Sequence, residues 1–217
     1  MSTSKVALVA GSTGLIGNLL INTLTEHDQY HQIKCLTRRP LDIQSQKIEE
    51  IRTDGDNLAE LSDRLQADDI FCCLGTTIKK AGTKEAFRKV DFDYPLLLAK
   101  ATRQQGASQY LLVSALGADP DSSVFYNRVK GEVERELYKV DFPSFHIFRP
   151  SLLLGERNNE KRFGEDVGKV FFKYFGFLVP KKYKAIDAIR VARAMVHMAK
   201  QQTKGNFIHE SEELQKF

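Results

Sequence analysis

An α/β fold with a doubly wound, mostly parallel sheet and helices on both faces is predicted for this chain by three observations. Short β-branched or apolar runs alternate with helical segments along the chain. The first run ends directly in a glycine-rich turn, and no internal repeat or linker-like tract interrupts the alternation. Such alternation implies parallel strands joined by right-handed crossovers, with the crossover helices covering the sheet.

"KVALVAG" (5–11) is a short β-branched run closed by glycine, the pattern of a buried strand. From Leu15 the pattern turns helical, with Leu15, Leu19, Leu20 and Leu24 on one face. "QIKCLTRR" (32–39) reads as a second strand, "KIEEIRTD" (47–54) as a third, "NLAELSDRL" (57–65) as a helix and "DIFCCLG" (69–75) as a fourth strand. Residues 85–106 read as helical, bent or broken near Pro95, which has no N–H to donate, and stopped at Gly106. "QYLLVSA" (109–115) is a fifth strand, "YNRVKGEVERELYK" (126–139) a helix and "SFHIFRP" (144–150) a further strand. The chain is read as one domain over 1–217.

Composition narrows the class. Hydrophobic residues are 42% of the 217, and the formal charge is only +4. The lysine pairs Lys79-Lys80 and Lys181-Lys182 are short and far apart, so solvated surface is preferred to a nucleic-acid patch. "MSTSKVALVAGSTG" is not a secretory leader, and no apolar run approaches the ~18 residues of a membrane span. Cys35, Cys72 and Cys73 lack metal-ligand spacing, as do the histidines at 27, 31, 146, 197 and 209. The expectation is a reduced, soluble, cytoplasmic protein with no metal, no nucleic-acid partner and no membrane partner.

"GSTGLIG" sets Gly11, Gly14 and Gly17 between the first strand and the first helix. In that setting one glycine permits the tight turn, one lets backbone approach a pyrophosphate, and one lets helix pack on strand. The anion then sits at the helix N-terminus. The spacing is G-x-x-G-x-x-G rather than G-x-G-x-x-G; the alternative is a glycine-rich turn without a ligand. An NAD site carries an acidic residue near the end of the second strand, for the ribose hydroxyls. Here "LTRRP" offers Arg38 and Arg39 instead, which fit a 2′-phosphate and favour NADP(H), unless they are ordinary surface arginines.

Ser114 falls at the carboxyl end of the fifth predicted strand, the edge where ligands bind in open α/β sheets. Tyr126 and Lys130 share a face of the next helix. An ammonium beside a phenol of ordinary pKa ~10 favours the phenolate, and so equips it as a general acid or base. Ser114 could hold a substrate oxygen while Tyr126 moves its proton and Lys130 also holds the nicotinamide ribose. No G-x-S-x-G surrounds Ser114, so a hydrolase elbow is not supported.

On "GSTGLIG", Ser114 and "YNRVK" the chain resembles the short-chain dehydrogenase/reductase superfamily. "FCCLGTTIKKAG", "FRKVDFDYPL", "SALGADPDSSVFYNRVKGEVE" and "FRPSLLLGER" are similar to its atypical branch, typified by the human Tat-interacting-protein oxidoreductase, as far as about residue 157. The resemblance implies a Rossmann-type fold, NADPH, and Ser114, Tyr126 and Lys130 as the catalytic set. It sets Ser12, Thr13, Leu15 and Ile16 along the pyrophosphate turn and Arg38 and Arg39 against the adenosine 2′-phosphate. Asp54 falls by the adenine, Leu74, Gly75 and Thr76 along the adenosine ribose, and Pro150, Ser151 and Leu152 past the nicotinamide carboxamide. Two departures stand out. Asp91 replaces the Asn that supports a proton-relay water in the wider superfamily, and "CLGTT" replaces Asn-Asn-Ala-Gly after the fourth strand.

The remainder, 151–217, is expected as a small extension on the substrate side. Segment 162–180 carries Phe163, Val167, Val170, Phe171, Tyr174 and Phe175 at helical spacing, either completing the core or walling an apolar substrate. Residues 185–200 read as an amphipathic helix and 205–210 as a last strand. The leading expectation is an NADPH-dependent reductase of a carbonyl or related group. The alternative is an NADP(H)-sensing regulator that binds a protein partner; a homodimer is a further expectation. An extended-type nucleotide-sugar epimerase is disfavoured by the short tail.

Overall fold

The computed structural model describes residues 4–58, 60–155, 180 and 183–217. Among them, seven strands form one sheet: β1 (Lys5–Ala10), β2 (Tyr30–Thr37), β3 (Ile48–Arg52), β4 (Asp69–Cys72), β5 (Gln109–Val113), β6 (Ser144–Arg149) and β9 (Gly205–Glu210). The spatial order is β3-β2-β1-β4-β5-β6-β9 and every pairing is parallel. β7 (Leu153–Leu154) and β8 (Ile186–Asp187) form a separate two-stranded sheet. The predicted doubly wound fold is therefore present.

Strand alternation divides the core in two. Ala7 and Val9 of β1 face α1 (Leu15–Thr25) and α6 (Ala188–Gln201), packing with Leu20, Ile21, Leu24, Val191 and Met195. Leu8 and Ala10 face α4 (Tyr94–Gln104) and α5 (Phe125–Tyr138), packing with Leu98, Val133 and Leu137. The helix expected beyond residue 185 is thus built into this core, and the expected last strand is β9, paired with β6 at the edge of the sheet. The aromatic segment 162–180 lies, save for Pro180, outside the described residues.

Two local expectations are corrected. The buried face of α1 is Ile16, Gly17, Leu20, Ile21 and Leu24, while Leu15 and Leu19 are only partly covered. This helix packs against both the sheet and α6, so its apolar stripe is wider than one row of leucines. The described residues of 57–65 do not form a helix; they turn and end in one 3₁₀ turn, Ser62–Leu65, with Leu58 and Leu65 buried. A nine-residue segment is too short to hold a helix by propensity alone. The interruption expected near Pro95 is present: α3 (Lys84–Arg88), a π turn (Lys89–Asp93) and α4 follow one another. Pro95 falls in the first turn of α4, where its missing N–H leaves nothing unpaired. The short α2 (Ile78–Ala81) and α3 were not resolved by periodicity, although Thr77 and Thr83 cap them.

His146 on β6 is structural. It is buried between Phe148 and Phe207, with Nδ1 2.9 Å from His209 Nε2 and Nε2 3.1 Å from Ser144 Oγ. His209 Nδ1 in turn faces Glu213 of α7 (Ser211–Leu214). Burial, and then His209, lower the His146 pKa from 6.5 to about 4. The unfolded chain therefore takes up the proton first. Stability from this site is complete above pH 6.5 and is lost as pH falls towards about 4. A loss of about 2 to 3 kcal/mol is expected over that window. Denaturant titration at a series of pH values checks it, and His146→Gln should flatten the slope.

Candidate active site

The chain passes from β1 to β2 and β3 on one side, then returns to β4 on the other side of β1. This reversal opens a crevice at the carboxyl ends of β1 and β4, where ligands bind in such sheets. The glycine turn lies there. Gly11 has φ +81°, and a Cβ on it would stand 2.5 Å from the Cys73 carbonyl oxygen. A Cβ on Gly17 would stand 2.2 Å from the Gly11 carbonyl oxygen, so the α1–β1 approach needs a bare backbone. Gly14 is the N-cap of α1 and has no side chain to satisfy the first-turn N–H groups. Those donors suit a pyrophosphate, and the residues present fit a dinucleotide.

The side chains of this turn are less available than the resemblance implied. Ser12 is buried and donates its hydroxyl to the Val9 carbonyl, and Ile16 is buried in the core. Both can meet a phosphate only through backbone. Leu15 packs under Gly155 and Thr13 is half-buried.

Beyond β2 and β3 lies an open cleft of about 500 Å³ lined by Arg38, Arg52, Thr53, Asp54, Asp56, Asn57 and Glu60. Of the residues expected around the adenosine, Arg38 and Asp54 line this cleft; Arg39 is exposed beside it but does not line it. Arg52 was missed. It ends β3 opposite Thr37 of β2 and brings a second guanidinium to the cleft. A basic residue ending the neighbouring strand was a readable signal.

Leu74, Gly75 and Thr76 follow β4. The Thr76 N–H donates to Asp91 Oδ2 at 2.9 Å, and Asp91 Oδ1 lies 2.8 Å from Lys130 Nζ. Both charged groups are almost wholly buried. The π turn supplies the reason: Tyr94 N–H reaches the Lys89 carbonyl five residues back, and the widened turn carries Asp91 inward. Burial pulls the Lys130 ammonium down, but Asp91 and then Tyr126 outweigh it and hold the pKa above its ordinary value. Tyr126 is half-buried, its ring 5.5 Å from that of Phe87. The expected role of Lys130 is thereby modified. Its nearest charge partner is a carboxylate, which offsets part of its field at the phenol.

Ser114 immediately follows β5 and is buried. Its hydroxyl donates to Glu134 Oε1. Glu134 also accepts from Arg149, with Nε 3.1 Å from Oε1 and Nη2 2.5 Å from Oε2. Sequence reasoning missed Glu134, although it stands one helical turn beyond Lys130 on the face of α5 that meets the sheet. Pro150, Ser151 and Leu152 run past the end of β6. They are tied by Leu116 N–H to the Pro150 carbonyl, Ser151 N–H to Ser211 Oγ and Ile186 N–H to the Leu152 carbonyl.

A glycine turn at a topological switch point, a basic cleft beyond β2 and a buried lysine beside a tyrosine define a dinucleotide-binding protein of Rossmann type. Residues 7–140 match the NAD dependent epimerase/dehydratase family, and the chain belongs to it, within the NAD(P)-binding oxidoreductases. It is 33% identical over 201 residues to Protein HTATIP2 of Rattus norvegicus, spanning 89% of this chain and 81% of that one. It is 32% identical over 200 residues to "Protein FMP52, mitochondrial" of Debaryomyces hansenii, spanning 89% and 87%. Among solved structures, MoeE5 in complex with UDP-glucose and NAD superposes with TM-score 0.72 at 17% identity, over 93% of this chain and 74% of that one. The oxidoreductase ylbE of Lactococcus lactis superposes with TM-score 0.67 at 18% identity, over 98% and 96%. The cytoplasmic expectation is corrected by these relatives, several of which are named mitochondrial. Among the described residues no cluster fits a metal ion, and no helix is long and apolar enough to cross a membrane.

Proposed function

We propose that this chain is an NADP(H)-dependent oxidoreductase acting at a carbonyl–alcohol centre, with Ser114, Tyr126 and Lys130 at the reacting oxygen. The observation that carries the reading is the buried Lys130 ammonium, fixed by Asp91 beside Tyr126 at the ligand-binding edge of the sheet. The dinucleotide, when bound, supplies the hydride chemistry. Tyr126 gives or takes the proton at the substrate oxygen. Ser114 fixes that oxygen's position, and Lys130 keeps a positive charge beneath it. Orientation of this kind accounts for a large share of a rate enhancement. The near-complete overlap with ylbE supports a small reductase-like layout over a sugar epimerase with a larger substrate domain.

NADP(H) is preferred to NAD(H) because Arg38 and Arg52 converge on the cleft beyond β2. Two guanidinium groups can grip a 2′-phosphate through charge-assisted bonds. Calorimetry should find NADPH bound at least tenfold more tightly than NADH, about 1.4 kcal/mol. Arg38→Ala or Arg52→Ala should shrink that gap while leaving NADH affinity nearly unchanged; Arg39→Ala should matter less. Equal affinities in the wild type would remove the 2′-phosphate assignment. Tight NADPH binding with no turnover of any aldehyde, ketone or alcohol would favour an NADP(H)-responsive regulator instead.

A further inference from the structure

Of the three side chains proposed to meet substrate, Ser114 is the one whose hydrogen-bond polarity is fixed by its neighbours. A hydroxyl carries one proton. Here that proton goes to Glu134, away from any substrate. Glu134 is buried and accepts a two-pronged Arg149 as well, and Arg149 Nη1 reaches Glu210 Oε1 at 3.1 Å across the β6–β9 edge. A carboxylate only accepts hydrogen bonds, so it cannot return the proton to Ser114. Ser114 is left with lone pairs on its free side.

We propose that Glu134 is a positioning residue that makes Ser114 a hydrogen-bond acceptor, so that the substrate group recognised there is a donor: the hydroxyl of an alcohol rather than a carbonyl oxygen. An alcohol O–H can donate to Ser114 while its lone pairs face Tyr126. A carbonyl oxygen has no proton to offer and is held by Tyr126 alone. The inference rests on the oxidoreductase reading and deepens it by assigning the substrate class that binds best.

The test uses matched pairs that cannot react: 1-phenylethanol or cyclohexanol with the NADPH complex, and acetophenone or cyclohexanone with the NADP⁺ complex. Each dissociation constant is measured by calorimetry on the full chain. The different nicotinamide charge cancels when a variant's alcohol-to-ketone ratio is compared with the wild-type ratio. Wild type should prefer the alcohols. Glu134→Gln can donate its amide hydrogen to Ser114 and free the serine proton, so the ratio should move towards the ketones about tenfold. Ser114→Ala removes the acceptor without disturbing the Glu134–Arg149 pair, and should bring the preference close to unity if Glu134→Gln folds poorly. A wild-type-like ratio in a dinucleotide-binding Glu134→Gln or Ser114→Ala protein overturns the inference, as does failure of every pair to bind. Turnover by the wild type together with an unmoved ratio sinks this inference alone. Absence of turnover with every pair, in both directions, sinks the oxidoreductase reading with it.

Discussion

Tyr126→Phe is expected to lower kcat by ~10²- to 10⁴-fold, the range of a positioned acid–base group, while leaving NADPH affinity within about twofold of wild type. The substitution removes one oxygen from a ring whose packing is against Phe87, 5.5 Å between centroids. Phenylalanine fills the same place, so α3 and α5 should keep their contact and the melting temperature should hold. Among the described residues the phenol makes no other hydrogen bond, so nothing structural is lost with it. Two readings diverge on this variant. If Tyr126 moves the proton, turnover falls at every substrate concentration and dinucleotide titration is unaltered. If the helix face is merely solvated, both stay near wild type, and the catalytic assignment is wrong. Steady-state turnover and calorimetry on the same preparation decide between them.

The legibility of this site followed the range of the interactions that build it. β1, β2, β4, β5 and β6 were readable because each is a short, largely buried run of apolar residues, and β1 sends Ala7 and Val9 to one core and Leu8 and Ala10 to the other. The glycine turn was readable because a Cβ added at Gly11 or Gly17 would stand 2.5 or 2.2 Å from a carbonyl oxygen, which leaves its trace in residue type. The Tyr126–Lys130 pair was readable from helical spacing taken together with the strand-end Ser114 and the glycine loop upstream. Asp91 was found by comparison with a family pattern, but its ion pair with Lys130 was not. A π turn inserts one residue into a helix without changing composition, and that insertion is what carries Asp91 inward. Glu134 and Arg149 come from α5 and β6 and meet Ser114 from β5, so no local pattern joins them. A glutamate on the same helix face as a functional lysine was the only sequence trace they left. Residues 57–65 failed in the opposite sense, because good helix formers were overruled by a short connection that, among its described residues, buries only Leu58 and Leu65.

The Asp91–Lys130 pair should be the most stability-sensitive point of the site. Asp91→Ala leaves a buried ammonium without its counter-charge and the Thr76 N–H without its acceptor. Removing one partner of a buried pair typically costs about 3 to 5 kcal/mol, far more than the pair itself contributes over an apolar replacement. Urea denaturation should therefore show a large fall in midpoint for Asp91→Ala and a smaller one for Asp91→Asn, whose amide oxygen can still accept from Thr76. The double variant Asp91→Leu with Lys130→Met removes both charges together and should recover much of the lost stability. It should nevertheless remain inactive, because no ammonium is left beside Tyr126. That contrast separates folding from chemistry: stability follows the balance of the pair, whereas turnover follows the presence of Lys130. An Asp91→Ala protein within about 1 kcal/mol of wild type would mean that the ammonium finds water or another partner. The π turn would then have no electrostatic reason to hold its carboxylate inward.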